Sequence, residues 1–255
     1  MMLKKGERID ELLHGGMKLI QNAASPCFAV DAPLLAYFAE IKSGSRVIDL
    51  GTGTGVIALL LSVKQPNCSI VGLELMKEMA DMASRSVQLN GLEDRISIAN
   101  GDIRQAEQLF DRSSFDVVIS NPPYYKQGSG RSCKDSLHAA ARSEQCCTLT
   151  QLLDAAAVLL KPNGMLYLVF RANRSGELFG ELASRRLNLE KLRFVQPYAD
   201  SPANLLLVAA RKHGRGETRV MPPLIVYQSQ GVYSEEMVSI YGRDTLSGCD
   251  ADRES

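Results

Sequence analysis

Short apolar runs rich in β-branched residues alternate with helical stretches from residue 46 to residue 210, and this alternation limits the possible folds. The predicted strands are Arg46–Leu50, Ser69–Leu73, Ile96–Ala99, Phe115–Ser120, Met165–Phe170, Leu192–Val195 and Leu205–Ala210. A first predicted helix begins at the acidic residue Asp31. Four further predicted helices span Val56–Val63, Met76–Asn90, Thr150–Leu160 and Gly176–Arg186. Such alternation predicts an α/β fold, with a doubly wound, mostly parallel seven-stranded sheet covered by helices on both faces.

Composition and charge narrow the class of protein further. The 255 residues are 45% hydrophobic and 23% charged, so the chain can bury a core without disulfides or metals. The 29 basic and 29 acidic side chains cancel, which argues against a protein that coats nucleic acid through bulk positive charge. The cysteines form no CxxC pair and the histidines no HxxxH pair, so we expect free thiols, no metal site and a cytoplasmic location. No apolar run is long enough to predict a membrane span.

The predicted organisation is one large domain with short flanking segments. Residues 1–27 are polar and predict an N-terminal leader without a core of its own. Residues 28–212 hold the alternating pattern and predict the main domain, which ends at a Gly- and Pro-containing boundary. Residues 213–246 predict a C-terminal extension packed on that domain, and residues 247–255 a disordered tail.

A glycine-rich turn, Asp49-Leu50-Gly51-Thr52-Gly53-Thr54-Gly55, follows the first predicted strand and opens a helix. Glycines there allow a sharp turn and close approach of a ligand, and the helix start offers unpaired N–H groups. No Lys-Ser or Lys-Thr closes the turn, which excludes a P-loop. The third glycine of a dinucleotide fingerprint is missing, but an alanine can replace it at Ala58, so a nicotinamide-dependent oxidoreductase remains an alternative.

Two acids follow the next two predicted strands, Glu74 after the second and Asp102 after the third. Carboxylates there can accept hydrogen bonds from the hydroxyls of a ribose and from an adenine amine. Together with the glycine-rich turn they resemble the class I S-adenosylmethionine-dependent methyltransferases, which have a Rossmann-like fold. The resemblance implies S-adenosylmethionine as cofactor. It implies cofactor-binding roles for Asp49, Gly51, Thr52, Gly53, Gly55, Glu74, Asp102 and Ile103.

Asn121-Pro122-Pro123-Tyr124 directly follows the fourth predicted strand. The lone pair of a planar nitrogen is delocalised, so such a nitrogen is a poor nucleophile. Two acceptors aimed at its N–H bonds, the side-chain oxygen of Asn121 and the carbonyl of Pro122, favour the shift to tetrahedral geometry and stabilise the developing positive charge. Tyr124 supplies a ring on which a flat base or amide can stack. These considerations predict catalytic roles for Asn121, Pro122 and Tyr124.

The four-residue motif resembles the [DNS]PP[YFW] signature of amino-methyltransferases, which act on adenine in DNA or RNA, on guanine in ribosomal RNA, or on a protein glutamine. The flanking segments Phe28–Phe38, Ala141–Glu144, Pro222–Tyr227 and Tyr233–Met237 are most similar to the bacterial tRNA(Val) (adenine-N6) methyltransferase family. The resemblance implies methyl transfer to adenine N6 in the tRNA anticodon loop. Methylation of N5 of a protein glutamine, or of ribosomal RNA or DNA, and a non-catalytic RNA-binding module remain alternatives.

The charge distribution is compatible with a tRNA partner. Residues 171–219 hold ten basic and five acidic side chains, which predicts a local surface for RNA phosphates. The predicted substrate-binding residues are Pro123, Lys126, Arg142 and Arg171. The sequence leaves the oligomeric state, monomer or dimer, open.

Overall fold

The computed structural model describes residues 3–12, 16–22, 30–122 and 147–241. The first strands are β1 (Glu7–Glu11), β2 (Lys18–Asn22), β3 (Arg46–Leu50), β4 (Ser69–Glu74), β5 (Ile96–Asn100), β6 (Phe115–Ser120) and β7 (Leu160–Arg171). They are followed by β8 (Leu187–Gln196), β9 (Leu205–Lys212), β10 (Arg219–Val220), β11 (Leu224–Ile225), β12 (Tyr227–Ser229) and β13 (Val232–Tyr233). The helices are α1 (Asp31–Phe38), α2 (Val56–Lys64), α3 (Lys77–Leu89), α4 (Ala106–Leu109), α5 (Leu149–Leu159), α6 (Ser175–Ser184) and α7 (Glu235–Tyr241).

The central sheet has the strand order β10-β8-β9-β7-β6-β3-β4-β5, and β11 also pairs with β8. Strands β3 to β7 are parallel, while β9 runs antiparallel between β7 and β8. The seven long strands are the predicted ones, so the predicted mostly parallel sheet is confirmed. The short strands β10 and β11, which come from the predicted C-terminal extension, enlarge it to nine strands among the described residues.

Alternate residues of the central strands enter two different cores. Val47 and Ile119 lie in the core beneath α1, α2 and α3, whereas Ile48 and Val118 lie in the core beneath α5 and α6. All four are completely buried. A sheet buried on both faces requires apolar side chains at consecutive positions, which is why these strands are continuous apolar runs.

The N-terminal segment corrects one expectation. The sequence predicts a polar leader over residues 1–27, but β1 and β2 form an antiparallel hairpin that packs on α3. The Ile20 N–H donates to Ser86 Oγ at 2.9 Å, and Leu19 is fully buried in the main core. The hairpin is not evident in the sequence because an isolated two-stranded ribbon has little stability, and here α3 covers it.

The connection into β7 also differs from the prediction. Lys161-Pro162-Asn163-Gly164 reads as a turn after a helix, yet it belongs to the start of β7, which is bulged where it pairs with β6. A side chain at Gly164 would come within 2.9 Å of the Lys161 carbonyl oxygen, so the bulge requires glycine there.

The C-terminal segment packs against the sheet through a partly buried ion pair. Arg193 of β8 contacts both carboxylate oxygens of Glu236 on α7, at 2.5 and 2.6 Å. Whether residue 213 marks a domain boundary stays a prediction. Across the described stretches of the chain, no helix is long and apolar enough to cross a bilayer.

Candidate functional site

The predicted site residues lie at the carboxyl ends of four neighbouring strands, and the side of the sheet on which these ends meet is called here its carboxyl edge. The strand order β6-β3-β4-β5 is continuous, and all four strands are parallel. Their carboxyl ends therefore meet at the same edge, where open α/β sheets bind ligands. The structure thus places the glycine-rich turn, Glu74, Asp102 and Asn121 along a single edge.

The glycine-rich turn takes backbone conformations that glycine adopts without strain. Gly51, Gly53 and Gly55 have φ values of 78°, 59° and 91°. The N–H groups of Gly51 and Thr52 donate to the Leu73 carbonyl at 2.8 and 3.1 Å, which ties the turn to the end of β4. The turn leads directly into α2, so the N–H groups of the first helical turn lie beside it.

Glu74 connects the glycine-rich turn to the start of the segment that follows β4. Its Oε2 accepts a hydrogen bond from the Gly53 N–H at 2.9 Å, and its Oε1 accepts one from the Met76 N–H at 2.8 Å. The residue is only 8% exposed. Its carboxylate therefore shapes the glycine-rich turn and keeps further lone pairs available to a ligand.

Asp49 is the most unusual group of the site because it is completely buried. Its Oδ2 accepts a hydrogen bond from Thr52 Oγ1 at 2.6 Å, whereas its Oδ1 has no partner among the described residues. Burial raises the pKa of Asp49 to about 7; the Thr52 hydroxyl opposes this effect, and the nearby Glu74 carboxylate adds to it. An unpaired buried carboxylate oxygen is costly, and a donor or a cation from a ligand would relieve that cost.

Asp102 lies just beyond β5 and begins a 3₁₀ turn, Ile103–Gln105. The Arg104 guanidinium contacts its carboxylate at 2.5 Å and lowers the pKa of Asp102. A β-carbon added at Gly51 would lie 3.9 Å from Ile103 Cδ1, so Ile103 adjoins the glycine-rich turn. The predicted ribose-side and adenine-side acids thus lie at the ends of two adjacent parallel strands, and Arg104 is a neighbour that the sequence did not indicate.

The substrate side of the site is only partly described. Asn121 is partly buried and Pro122 is buried, directly after β6. Arg171 is exposed at the end of β7, the next strand. The other predicted catalytic and substrate-binding residues lie outside the described residues: Pro123, Tyr124, Lys126 and Arg142.

Comparison with known proteins supports the fold and identifies the family. Residues 41–196 match the family described as methyltransferase domain. A tRNA1(Val) (adenine(37)-N6)-methyltransferase of Porphyromonas gingivalis is 32% identical over 228 residues, covering 86% of this chain and 89% of that protein. A protein of the same name from Proteus mirabilis is 32% identical, covering 82% and 83%.

The chain belongs to the methyltransferase domain family and, within it, to the family of these two relatives. Its fold is also similar to a solved structure described as a predicted O-methyltransferase, Atu636 of Agrobacterium tumefaciens. That match has a TM-score of 0.67 at 22% identity and covers 85% of this chain and 98% of the other. The resemblance to class I methyltransferases is therefore confirmed, and the nicotinamide-dependent alternative is set aside.

Sequence reasoning missed two polar residues that connect the strands of this methyltransferase. The buried Ser120 hydroxyl donates to the Leu50 carbonyl at 2.7 Å, joining the end of β6 to the start of the glycine-rich turn. The Asn100 amide donates to the carbonyls of Glu74 and Leu75 at 2.8 and 3.0 Å. A polar residue at the end of an otherwise apolar strand is the only sequence signal for either contact.

The expected basic surface of the methyltransferase is smaller than the count of side chains implies. Five of the ten basic residues in 171–219 form ion pairs with acids. The pairs are Arg174 with Glu177, Arg185 with Asp154 and Glu181, Lys191 with Glu40, Arg193 with Glu236, and Arg211 with Glu190. Acids therefore partly neutralise these cations; some lie nearby in the chain, such as Glu177, and others are brought in by folding, such as Glu40. In the described part of the chain no His, Cys, Asp and Glu cluster has a metal-binding arrangement.

Proposed function

We propose that this methyltransferase transfers the methyl group of S-adenosylmethionine to the exocyclic N6 of an adenine in tRNA, with the anticodon-loop adenine of tRNA(Val) as the specific target. One observation carries the proposal. Ser120 joins β6, which ends at the amino-group acceptors Asn121 and Pro122, to the strand that opens the glycine-rich turn. The names of the relatives from Porphyromonas gingivalis and Proteus mirabilis support the choice of tRNA.

The residues at the ends of these strands fit S-adenosylmethionine. The unpartnered Oδ1 of buried Asp49 suits a cationic ligand, because positive charge nearby stabilises the carboxylate. The glycine-rich turn allows a ligand to approach the backbone closely. Glu74 and Asp102 would hold the ribose and the adenine. When bound there, S-adenosylmethionine supplies a methyl group already activated by its sulfonium.

The chain's own residues act on the amine that accepts the methyl group. The side-chain oxygen of Asn121 and the carbonyl of Pro122 would accept hydrogen bonds from its two N–H groups. These acceptors favour a tetrahedral nitrogen and stabilise its developing positive charge. Pro122 fixes its own φ and thus the position of both oxygens. Neither acceptor is a base at neutral pH, so the proton of the methylated nitrogen passes to water.

The substrate base has to leave its stack to reach this edge of the sheet. Methyltransferases that act on a base extrude it, or bind it in a single-stranded segment, before reading it by stacking and hydrogen bonding. We assign the stacking to Tyr124 and phosphate contacts to Lys126, Arg142 and Arg171. Because the net charge is zero, RNA affinity should depend on local contacts and fall with salt. A tRNA substrate agrees with the cytoplasmic location that the sequence predicts.

The test is to incubate the protein with labelled S-adenosylmethionine and total RNA, DNA and protein from a strain lacking the gene. Nucleoside mass spectrometry should identify N6-methyladenosine in the tRNA fraction. Label in DNA, in ribosomal RNA or on a protein glutamine would show that the enzyme acts on that substrate and not on tRNA. The absence of label in every fraction would refute the proposal.

Asn121→Ala tests the mechanism. It should bind S-adenosylmethionine with unchanged affinity but lose about 100-fold or more in methyl transfer, because one of two positioned acceptors is gone. Asn67→Ala, an exposed asparagine before β4, is the matched control and should keep full activity. Transfer by Asn121→Ala at the wild-type rate would refute the assigned role.

A further inference from the structure

Four tyrosines form a continuous stack between the main sheet and the C-terminal segment. Tyr198 follows β8, and its ring centroid lies 5.6 Å from that of Tyr227. Tyr227 stacks on Tyr233 at 5.4 Å with an interplanar angle of 7°. Tyr233 contacts Tyr241 at 5.3 Å. Tyr233 and Tyr241 are buried, whereas Tyr198 and Tyr227 are partly exposed, so the stack runs from the core to the surface.

The exposed end of this stack is held in place by the backbone. β11 pairs with the last residues of β8, and the Tyr227 N–H donates to the Pro197 carbonyl at 2.8 Å. The ion pair between Arg193 and Glu236 holds α7 beneath the same strand. A ring fixed on one side by its neighbours loses little entropy when a ligand stacks on it.

Tyr198 lies on the same edge of the sheet as the methyl-transfer site. β8 is separated from β6 by β9 and β7, so its end is about 14 Å from the end of β6 at normal strand spacing. Exposed Arg171 ends β7, between the two, and pairs with Leu205 at the start of β9. The edge therefore presents an amine acceptor, a cation and an aromatic ring in that order.

We propose that Tyr198 and Tyr227 form an RNA-docking surface, where a base a few nucleotides away from the target stacks on Tyr198 while Arg171 contacts the intervening phosphates. This inference rests on the proposed RNA substrate. About four stacked nucleotides, or fewer splayed ones, cover the distance from the target base. Aromatic rings stack on any base, and this tolerance suits contacts outside the target nucleotide.

The charges around Tyr198 favour RNA over a peptide as the occupant. Arg171 is exposed at the end of β7, which lies between the strands that lead to Tyr198 and to the target site, and Asp200 is an exposed acid two residues beyond Tyr198. A phosphate chain would run on the Arg171 side and leave Asp200 in solvent. Proteins commonly bind single-stranded nucleic acid through an aromatic ring that stacks on a base and a nearby cation that contacts a phosphate, and Tyr198 and Arg171 supply these two groups.

The experiment compares Tyr198→Leu with Tyr198→Phe, which keeps the ring. Methyl transfer to a tRNA(Val) transcript is measured with the full chain, together with calorimetric binding of S-adenosylmethionine and the melting temperature. Tyr198→Leu should raise KM for tRNA by roughly tenfold or more, while kcat and cofactor affinity remain unchanged. Tyr198→Phe should restore the wild-type KM, because stacking needs the ring and not the hydroxyl.

An unchanged KM in a folded Tyr198→Leu protein would overturn the inference. So would a Phe variant as impaired as the Leu variant. If the Leu variant does not fold, photo-crosslinking of 4-thiouridine-containing tRNA to wild-type protein decides: adducts within residues 196–200 support the surface, and adducts only elsewhere refute it. A wild-type protein that methylates no tRNA would instead disprove the proposed function on which this surface depends.

Discussion

Replacing Asp49 with asparagine should make the ligand-free protein relatively more stable as the pH rises. The pKa of this buried carboxyl is about 7 in the folded protein against 3.8 ordinarily. Between these two values the folded state binds a proton that the unfolded state has released. Folding stability therefore falls as pH rises from about 4 to about 7, and the full penalty remains above pH 7. Asparagine carries no charge and removes this dependence.

The magnitude follows from the size of the pKa shift. Each pH unit in that window changes the free energy of unfolding by about 1.4 kcal/mol. Between pH 5 and pH 8, wild type should therefore lose about 3 kcal/mol relative to Asp49→Asn. The asparagine leaves a buried amide that costs about 1–3 kcal/mol, but this cost is the same at both pH values and cancels in the comparison.

Urea unfolding of ligand-free protein at pH 5 and pH 8, followed by circular dichroism, measures this difference. Asp94→Asn is the matched control, since Asp94 is an exposed carboxylate in the connection between α3 and β5. The control should show no such change between the two pH values. If the stability difference between wild type and Asp49→Asn were equal at pH 5 and pH 8, the raised pKa assigned to the buried Asp49 carboxyl would be refuted.

Three further results are expected. Glu74→Gln should weaken S-adenosylmethionine binding about 10- to 100-fold in calorimetry, because an amide has only one acceptor oxygen and cannot accept from both the Gly53 and the Met76 N–H groups; unchanged affinity would contradict its assigned role. Ser120→Ala should cost about 1–3 kcal/mol in urea unfolding and lower kcat without changing cofactor affinity, because the Leu50 carbonyl loses its donor; an unaltered kcat would show that this bond does not position the acceptors. S-adenosylmethionine binding at pH 6 should release a proton as Asp49 ionises, detected by calorimetry in buffers of different ionisation enthalpy, and Asp49→Asn should abolish that release.

The seven long strands and the glycine-rich turn could be predicted because their signals are local. A strand buried on both faces must be apolar at consecutive positions, and a turn with φ above +50° at Gly51, Gly53 and Gly55 favours glycine whatever surrounds it. The proximity of Glu74 and Asp102 could be predicted as well, because parallel strands end on the same side of the sheet.

The N-terminal hairpin and the limited basic surface could not be predicted because both depend on distant partners. Ile20 in β2 meets Ser86 on α3, 66 positions later in the chain. Lys191 meets Glu40, 151 positions earlier. Nothing in the local sequence of either segment specifies these contacts.

The sequence by itself therefore determined the α/β fold, the order of strands and turns along the chain, and the residue types at the end of each strand. Only the tertiary structure decided the ionisation of Asp49, the link from Ser120 to Leu50 and the stack that leads to Tyr198. The physical reason is the range of the interactions. Backbone conformation and hydrophobic periodicity act over a few residues, whereas burial and pairing depend on segments that folding brings together.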